Sequence, residues 1–438
     1  MHKLIADCLI ICSFADDNHL QNSLPAELAY FTNLIIMDLD VNFLTGSIPD
    51  SYRALTKLEN WDMGSNGLGG SLPTWIGGLT DLGSLNLGYN TFIDTIPTEL
   101  SSLPALRVLA LDHNVFEGDV NTLFGSSING LQLLEELYLD SNTFSGPLGQ
   151  DFASSMPHIK QLDISNNDFF GHIPSHLFSF TKLEVLDIHD NVFTSLPESF
   201  EANTALRLFA AQKNVLGGTI PETIVNLATL THLDLSQNLL QGPISEVFGD
   251  TLVNLTYLFL AENAFDPGPI PLSVSNLPSL QELSLKSTQR TGEIPDVVGL
   301  LTNLVFLDLD HNELSGEIPS SLASLTNLKL LLLNRNKLEG FIPAEFSRLS
   351  QLELLFVEGN FITGGLNVIC DNVSENYFPI EIVGQCSLCE PVTGCCTTCC
   401  EDGQECNKKT QVADLDPIWQ MSYKRVEYSM EPEKIWNN

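Results

Sequence analysis

The sequence predicts an α/β solenoid, an elongated array of coils that each add one short strand to a shared parallel sheet. Three observations predict it. The pattern LxxLxLxxNxLxGxIP recurs along most of the 438 residues, its copies keep a nearly constant step, and the leucines stay fixed while the letters between them change. The stretch LTNLVFLDLDHNELSGEIP, Leu301 to Pro319, is followed 24 residues later by LTNLKLLLLNRNKLEGFIP, Leu325 to Pro343, with Asp308 giving way to Leu332.

Each part of the pattern has a physical task. A single coil cannot bury its leucines, so they point inward and stack on those of the next coil, strand against strand at about 4.8 Å. The asparagine carries two donors and an acceptor on one amide, which suits it to backbone groups that leave the sheet. It falls at Asn18, Asn42, Asn66, Asn90, Asn114, Asn142, Asn167, Asn191, Asn214, Asn238, Asn263, Asn312, Asn336 and Asn360, with Thr288 in the remaining slot. That makes fifteen units, most of them 23 to 25 residues long, with one 28-residue step from Asn114 to Asn142. A threonine hydroxyl satisfies fewer backbone groups, so a local irregularity is expected at Thr288. Glycine then permits the tight turn and proline opens the convex segment with its preset φ.

These units resemble leucine-rich repeats of the plant-specific class, whose mark is the LxGxIP half. It stands here as Gly46, Ile48 and Pro49, Gly171, Ile173 and Pro174, Gly316, Ile318 and Pro319, and Gly340, Ile342 and Pro343. The resemblance covers residues 18–369 and implies a right-handed superhelix of these repeats with a concave parallel β-sheet. Members serve as ectodomains of receptor-like proteins or as secreted recognition proteins. What this implies is an extracellular or cell-surface module without a catalytic domain of its own, binding a protein, peptide or carbohydrate ligand on its concave face.

The variable letters carry the ligand expectation. The slot four before the asparagine reads Asp38, Asp62, Asn86, Ala110, Tyr138, Asp163, Asp187, Ala210, Asp234, Phe259, Ser284, Asp308, Leu332 and Phe356. Side chains alternate along a strand, so these are expected on the concave solvent face. Neighbouring slots add Asp40, Asp112, Asp140, Asp190 and Asp310, and then Tyr257, Phe306, Leu330 and Leu354. The face is thus read as an acidic ladder of Asp38, Asp62, Asp163, Asp187, Asp190, Asp234, Asp308 and Asp310. It gives way to an exposed apolar patch of Tyr257, Phe259, Phe306, Leu330, Leu332, Leu354 and Phe356, with Arg335 at its edge.

Asp163 and Asp187 on adjacent strands, about 5 Å apart, disfavour joint ionisation. A solvated polar ladder, a basic partner or calcium would each accommodate them; no EF-hand loop is present. His113, His189 and His311 follow or precede Asp112, Asp190 and Asp310 and would shift the surface charge between about pH 5 and 8. Adjacent strand residues point to opposite faces, so no transition-metal site is expected from such pairs.

Cys370, Cys386, Cys389, Cys395, Cys396, Cys399, Cys400 and Cys406 follow the last repeat, and residues 370–406 are read as a disulfide-stapled cap on the open end of the core. Eight cysteines allow about 105 pairings. Zinc held by two CxxC pairs is the rival reading. The run GCCTTCC is similar to the ends of secreted leucine-rich repeat proteins from photosynthetic protists. Residues 1–17 are read as an atypical or truncated start overlapping the first repeat, since Asp7 interrupts the apolar run of MHKLIADCLIICSF. Residues 407–438 form a tail with Trp419, Tyr423, Tyr428 and Trp436, and Asn254 and Asn372 head two glycosylation sequons.

Composition sets the exclusions. There are 19 Lys and Arg against 55 Asp and Glu, a formal net charge of -36, which repels nucleic acid and anionic membranes. No window offers the roughly 18 apolar residues of a membrane span, so membrane association is expected only through a further segment. No GxSxG elbow, HExxH, phosphate loop or kinase signature is present, and neither an enzyme nor a cofactor is expected. The rival to recognition is an acidic wall or matrix protein assembled through calcium.

Overall fold

The computed structural model describes residues 12–121, 131–149, 156–200, 205–246 and 248–369, with residues 152 and 203 and two strands further on. Its spine is a 17-stranded parallel sheet. The strands run in chain order from Cys12–Phe14 through Ile36–Asp38 and on to Leu354–Phe356, each pairing only with its sequence neighbours. Two more, Glu381–Gln385 and Thr398–Cys400, continue the ladder into the segment read as a cap. The remaining cap cysteines, the tail, the first eleven residues and the additions that lengthen the Asn114 to Asn142 step lie outside the described residues, wholly or in part.

One face of this sheet covers the core. Leu85, Leu137, Leu162, Leu186, Leu233 and Leu307 are closed to solvent at the centre of their strands. Two residues past the asparagine, Phe92, Phe116, Phe144, Phe169 and Phe193 form a stacked aromatic spine, with ring centroids 6.0 to 6.4 Å apart. Opposite the sheet, short 3-10 turns such as Asp50–Ala54 and Ser320–Ser324 begin directly after Pro49 and Pro319, whose φ is already set at -66° and -70°. Among the described residues no helix is long and apolar enough to cross a membrane.

The asparagine ladder closes each coil. Asn191 Nδ2 donates to the carbonyls of Ile164, Ile188 and His189 at 3.0, 3.3 and 3.1 Å, while its Oδ1 accepts the Phe169 N–H at 2.9 Å. The Ile188 carbonyl also accepts from Asn214 Nδ2 at 3.0 Å, so successive amides interlock. The residue before each asparagine is left-handed, with φ from 46° at Asp17 to 68° at Gly359.

Thr288 breaks the pattern as expected. Its hydroxyl reaches only the Leu285 carbonyl, at 2.6 Å, apart from a long contact to Asn312. The slot two residues on, Leu, Phe or Ile elsewhere, holds Arg290, and this side chain is buried. Nε and Nη2 donate to the Thr288 carbonyl at 3.0 and 2.7 Å, Nη1 to Pro269 at 3.2 Å and Nη2 to Asp266 at 2.5 Å. The lateral strands divide here, into one sheet of 10 ending at Leu239–Gln241 and one of 4 beginning at Thr291–Gly292.

Candidate functional site: the concave face

The predicted apolar patch is real in position and wrong in exposure. Phe259, Leu330, Leu332, Leu354 and Phe356 are 6%, 7%, 1%, 5% and 3% exposed. They sit in register, Leu330 against Leu354 and Leu332 between Asp308 and Phe356, so neighbouring strands flank each one. Side chains on the concave side of a curved ladder converge, which removes the solvent contact that alternation alone would give them. Only Tyr257 and Phe306 of the set remain half-exposed. Tyr257 stacks on His232, centroids 4.2 Å apart, and burial pushes that imidazole down to about 4.

The acidic ladder is also turned inward. Asp163, Asp187, Asp234, Asp308 and Asp310 are buried, Asp38 and Asp62 half-buried, and Asp190 alone is exposed, in the left-handed slot. The reason is local: the carboxylate four before the asparagine accepts the N–H two residues on, where the strand ends. Asp62 takes Gly64 N–H at 2.9 Å, Asp163 takes Ser165 at 3.0 Å, Asp187 takes His189 at 3.1 Å, Asp234 takes Ser236 at 2.9 Å and Asp308 takes Asp310 at 3.0 Å. These are Asx turns, a structural use of aspartate that a strand-only reading misses. Burial, with nearby carboxylates second, lifts Asp234 and Asp308 to about 7 and Asp62 to about 6.

The Asp163–Asp187 repulsion is partly offset from within. His189 Nδ1 lies 2.7 Å from Asp187 Oδ1, not beside Asp190 as the sequence order suggested. Burial alone would depress this imidazole, but Asp187 and then Asp163 carry it up to about 9. Arg335 likewise is not an unengaged edge residue, because its Nε donates to the buried Asp310 at 2.8 Å and its Nη2 to the other oxygen.

Adjacent residues do meet on this surface. His113 Nδ1 lies 3.3 Å from Asp112 Oδ2 and 3.4 Å from Asp140 Oδ2. Alternation fails there because His113 has φ 49°, so the chain has already left the strand. Asn254 is exposed with its amide on the Ala228 carbonyl at 3.0 Å, while Asn372 lies outside the described residues. Cys399 and Cys400 lie in the last described strand; Cys370, Cys386, Cys389, Cys395, Cys396 and Cys406 lie outside the described residues.

A coil of this length, closed by an asparagine ladder over a parallel sheet, defines a leucine-rich repeat protein. The Leucine rich repeat family profile matches residues 302–362 and a second Leucine Rich Repeat profile matches 158–180 and 229–251. These matches and the fold make the chain a leucine-rich repeat solenoid whose repeats are similar to those of plant receptor-like proteins. Receptor-like protein 32 of Arabidopsis thaliana is 34% identical over 119 residues, 26% of this chain and 14% of that one. Receptor-like protein 39 of the same plant is 33% identical over 151 residues, 33% of this chain and 17% of that one. The chain therefore covers less than a fifth of the length of these relatives.

Solved structures match more of it. The complex PEPR1-AtPEP1 superposes with a TM-score of 0.75 at 28% identity, over 85% of this chain and 51% of that chain. The ectodomain of the Arabidopsis receptor kinase HAESA, in complex with an N-terminally extended IDA peptide hormone, gives 0.74 at 28% identity, over 86% and 63%. A leucine-rich repeat protein of Leptospira interrogans gives 0.69 at 28% identity, over 83% and 89%.

Proposed function

We propose that the chain is a cell-surface or extracellular recognition module that binds an extended, cationic peptide along its concave face. The observation that carries this is a continuous 17-stranded face with solvent-reaching side chains at repeating slots. Those slots hold Tyr257 and Phe306 on the strands and Tyr89, Asp190 and His311 on the left-handed rim. Likeness to the HAESA ectodomain solved with a peptide hormone supports a peptide ligand, the length of the face suits an extended one, and the formal charge of -36 supports a basic one. The buried apolar residues Phe259, Leu330, Leu332, Leu354 and Phe356 then hold the floor rather than touch the ligand.

A displayed random-peptide library selected on the folded chain tests it. Enrichment of Lys- and Arg-rich peptides whose binding weakens in Tyr257→Ala and Phe306→Ala, and falls with salt, is the expected result. Selection of neutral or acidic peptides, or retention in both variants, overturns it.

A further inference from the structure

Between the coils closed by Asn114 and Asn142, three ligand-type atoms converge: Asp112 Oδ2, His113 Nδ1 and Asp140 Oδ2 lie within 4.8 Å of one another. We infer that these three side chains form a binding site for one zinc-type divalent transition-metal ion on the rim of the concave face. The two distances from Nδ1, 3.3 and 3.4 Å, are too long for charge-assisted hydrogen bonds, which run at about 2.7–2.9 Å. An imidazole nitrogen has at most one proton to give, so it cannot serve both carboxylates. The same chain shows what a true pair looks like, since His189 approaches Asp187 at 2.7 Å. Around a metal with bonds of about 2.0–2.1 Å, tetrahedral ligands are separated by roughly 3.3–3.4 Å, which matches the two separations from Nδ1.

The surroundings leave the lone pairs available. Among the described residues, the other hydrogen-bond donor to either carboxylate is the Ser141 hydroxyl, 3.2 Å from Asp140 Oδ2. Asp112 and Asp140 take no backbone N–H of the kind that occupies Asp163 or Asp234. Tyr89 stacks on the His113 ring with centroids 3.9 Å apart and fixes its plane. Gly88 keeps the approach open, because a Cβ there would come within 2.5 Å of Asp112 Oδ1. A nitrogen ligand and three protein donors fit zinc with a water in the fourth position, and fit calcium poorly, which takes about six to eight oxygens.

Cobalt(II) titration of the full, chelator-treated chain with its free thiols alkylated tests the site. The expected result is about one equivalent of zinc-displaceable cobalt with visible d–d bands and no thiolate charge-transfer band. His113→Ala and Asp140→Asn each abolish it without changing the circular dichroism of the metal-free chain, and His311→Ala, at the same rim slot two hundred residues on, leaves it intact. Cobalt binding that survives His113→Ala, that carries a thiolate band, or that fails in the folded wild type overturns the inference.

Discussion

Replacing Asn191 by Ala isolates what the asparagine ladder contributes. The three carbonyls that Asn191 serves each keep a second donor: Ile164 has Asn167, Ile188 has Asn214 and His189 has the Asn166 N–H. The group left without a partner is the Phe169 N–H, which gives its 2.9 Å bond to Asn191 Oδ1 in a fully buried setting. An orphaned buried donor costs about 1–3 kcal/mol, and three weakened carbonyls bring the expected loss to about 2–4 kcal/mol. Among the described residues the Asn18 side chain makes one exposed bond, to the Asp16 carbonyl, so Asn18→Ala is expected to cost less than about 0.5 kcal/mol. Coils of a solenoid open locally, so the clean readout is hydrogen exchange at the Phe169 amide, backed by urea unfolding. Protection at Phe169 falls by about 30-fold or more if 2 kcal/mol is lost there. Equal costs for the two substitutions, or unchanged exchange at Phe169, would refute the ladder argument.

Above about pH 6.5, where the depressed His232 is neutral both folded and unfolded, stability should fall as pH rises. Asp234 and Asp308 sit near 7 and His189 near 9, each above its ordinary value, so the folded state holds protons that the unfolded chain releases. The aspartate contribution is present below about pH 4 and lost by 7; the His189 contribution is full below about 6.5 and lost through 9, worth at most about 3 kcal/mol. His189→Gln should flatten the upper arm of a urea-midpoint against pH curve, and a midpoint that climbs with pH counts against the assignment. Thr288→Asn with Arg290→Leu should lose less than the two single changes added together, by about 1–3 kcal/mol, and additivity within about 0.5 kcal/mol would break the claimed exchange of roles. Val41, β-branched yet at φ 47°, should yield to Asn with a gain of about 1 kcal/mol, read as a higher thermal midpoint.

Periodicity made the solenoid legible, because burial of a leucine at a constant interval is a one-dimensional signal. Thr288 was legible for the same reason, as a departure from a repeated letter. Its compensation was not read from the sequence: Arg290 stands where the pattern asks for an apolar residue, and the coordinates show its guanidinium on the Pro269 and Asp266 carbonyls. The concave face was read less well. Alternation predicts which way Leu332 and Phe356 point, yet curvature and strand neighbours decide how much solvent they meet. The aspartates carried an ambiguity that spacing cannot resolve, since a free carboxylate and an Asx turn present the same letter. His113 was misjudged because strand alternation was extended past Ala110, where the described strand ends.

The same local geometry that hides the aspartates decides where recognition can occur. A carboxylate folded onto the N–H two residues on closes the strand and spends its lone pairs inside the coil, so Asp163, Asp234 and Asp308 set shape and proton balance more than contact. The chain then turns through a left-handed residue, and that turn lifts the next side chain to the rim. Val41, Tyr89, Asp190 and His311 stand there exposed and His113 half-exposed, one per coil. Chemical variety is therefore cheapest in that column, and it is where an imidazole meets two carboxylates. The recognition proposed above therefore falls to the rim and to the half-exposed strand residues Tyr257 and Phe306, because the floor between them is already committed to holding the coils together.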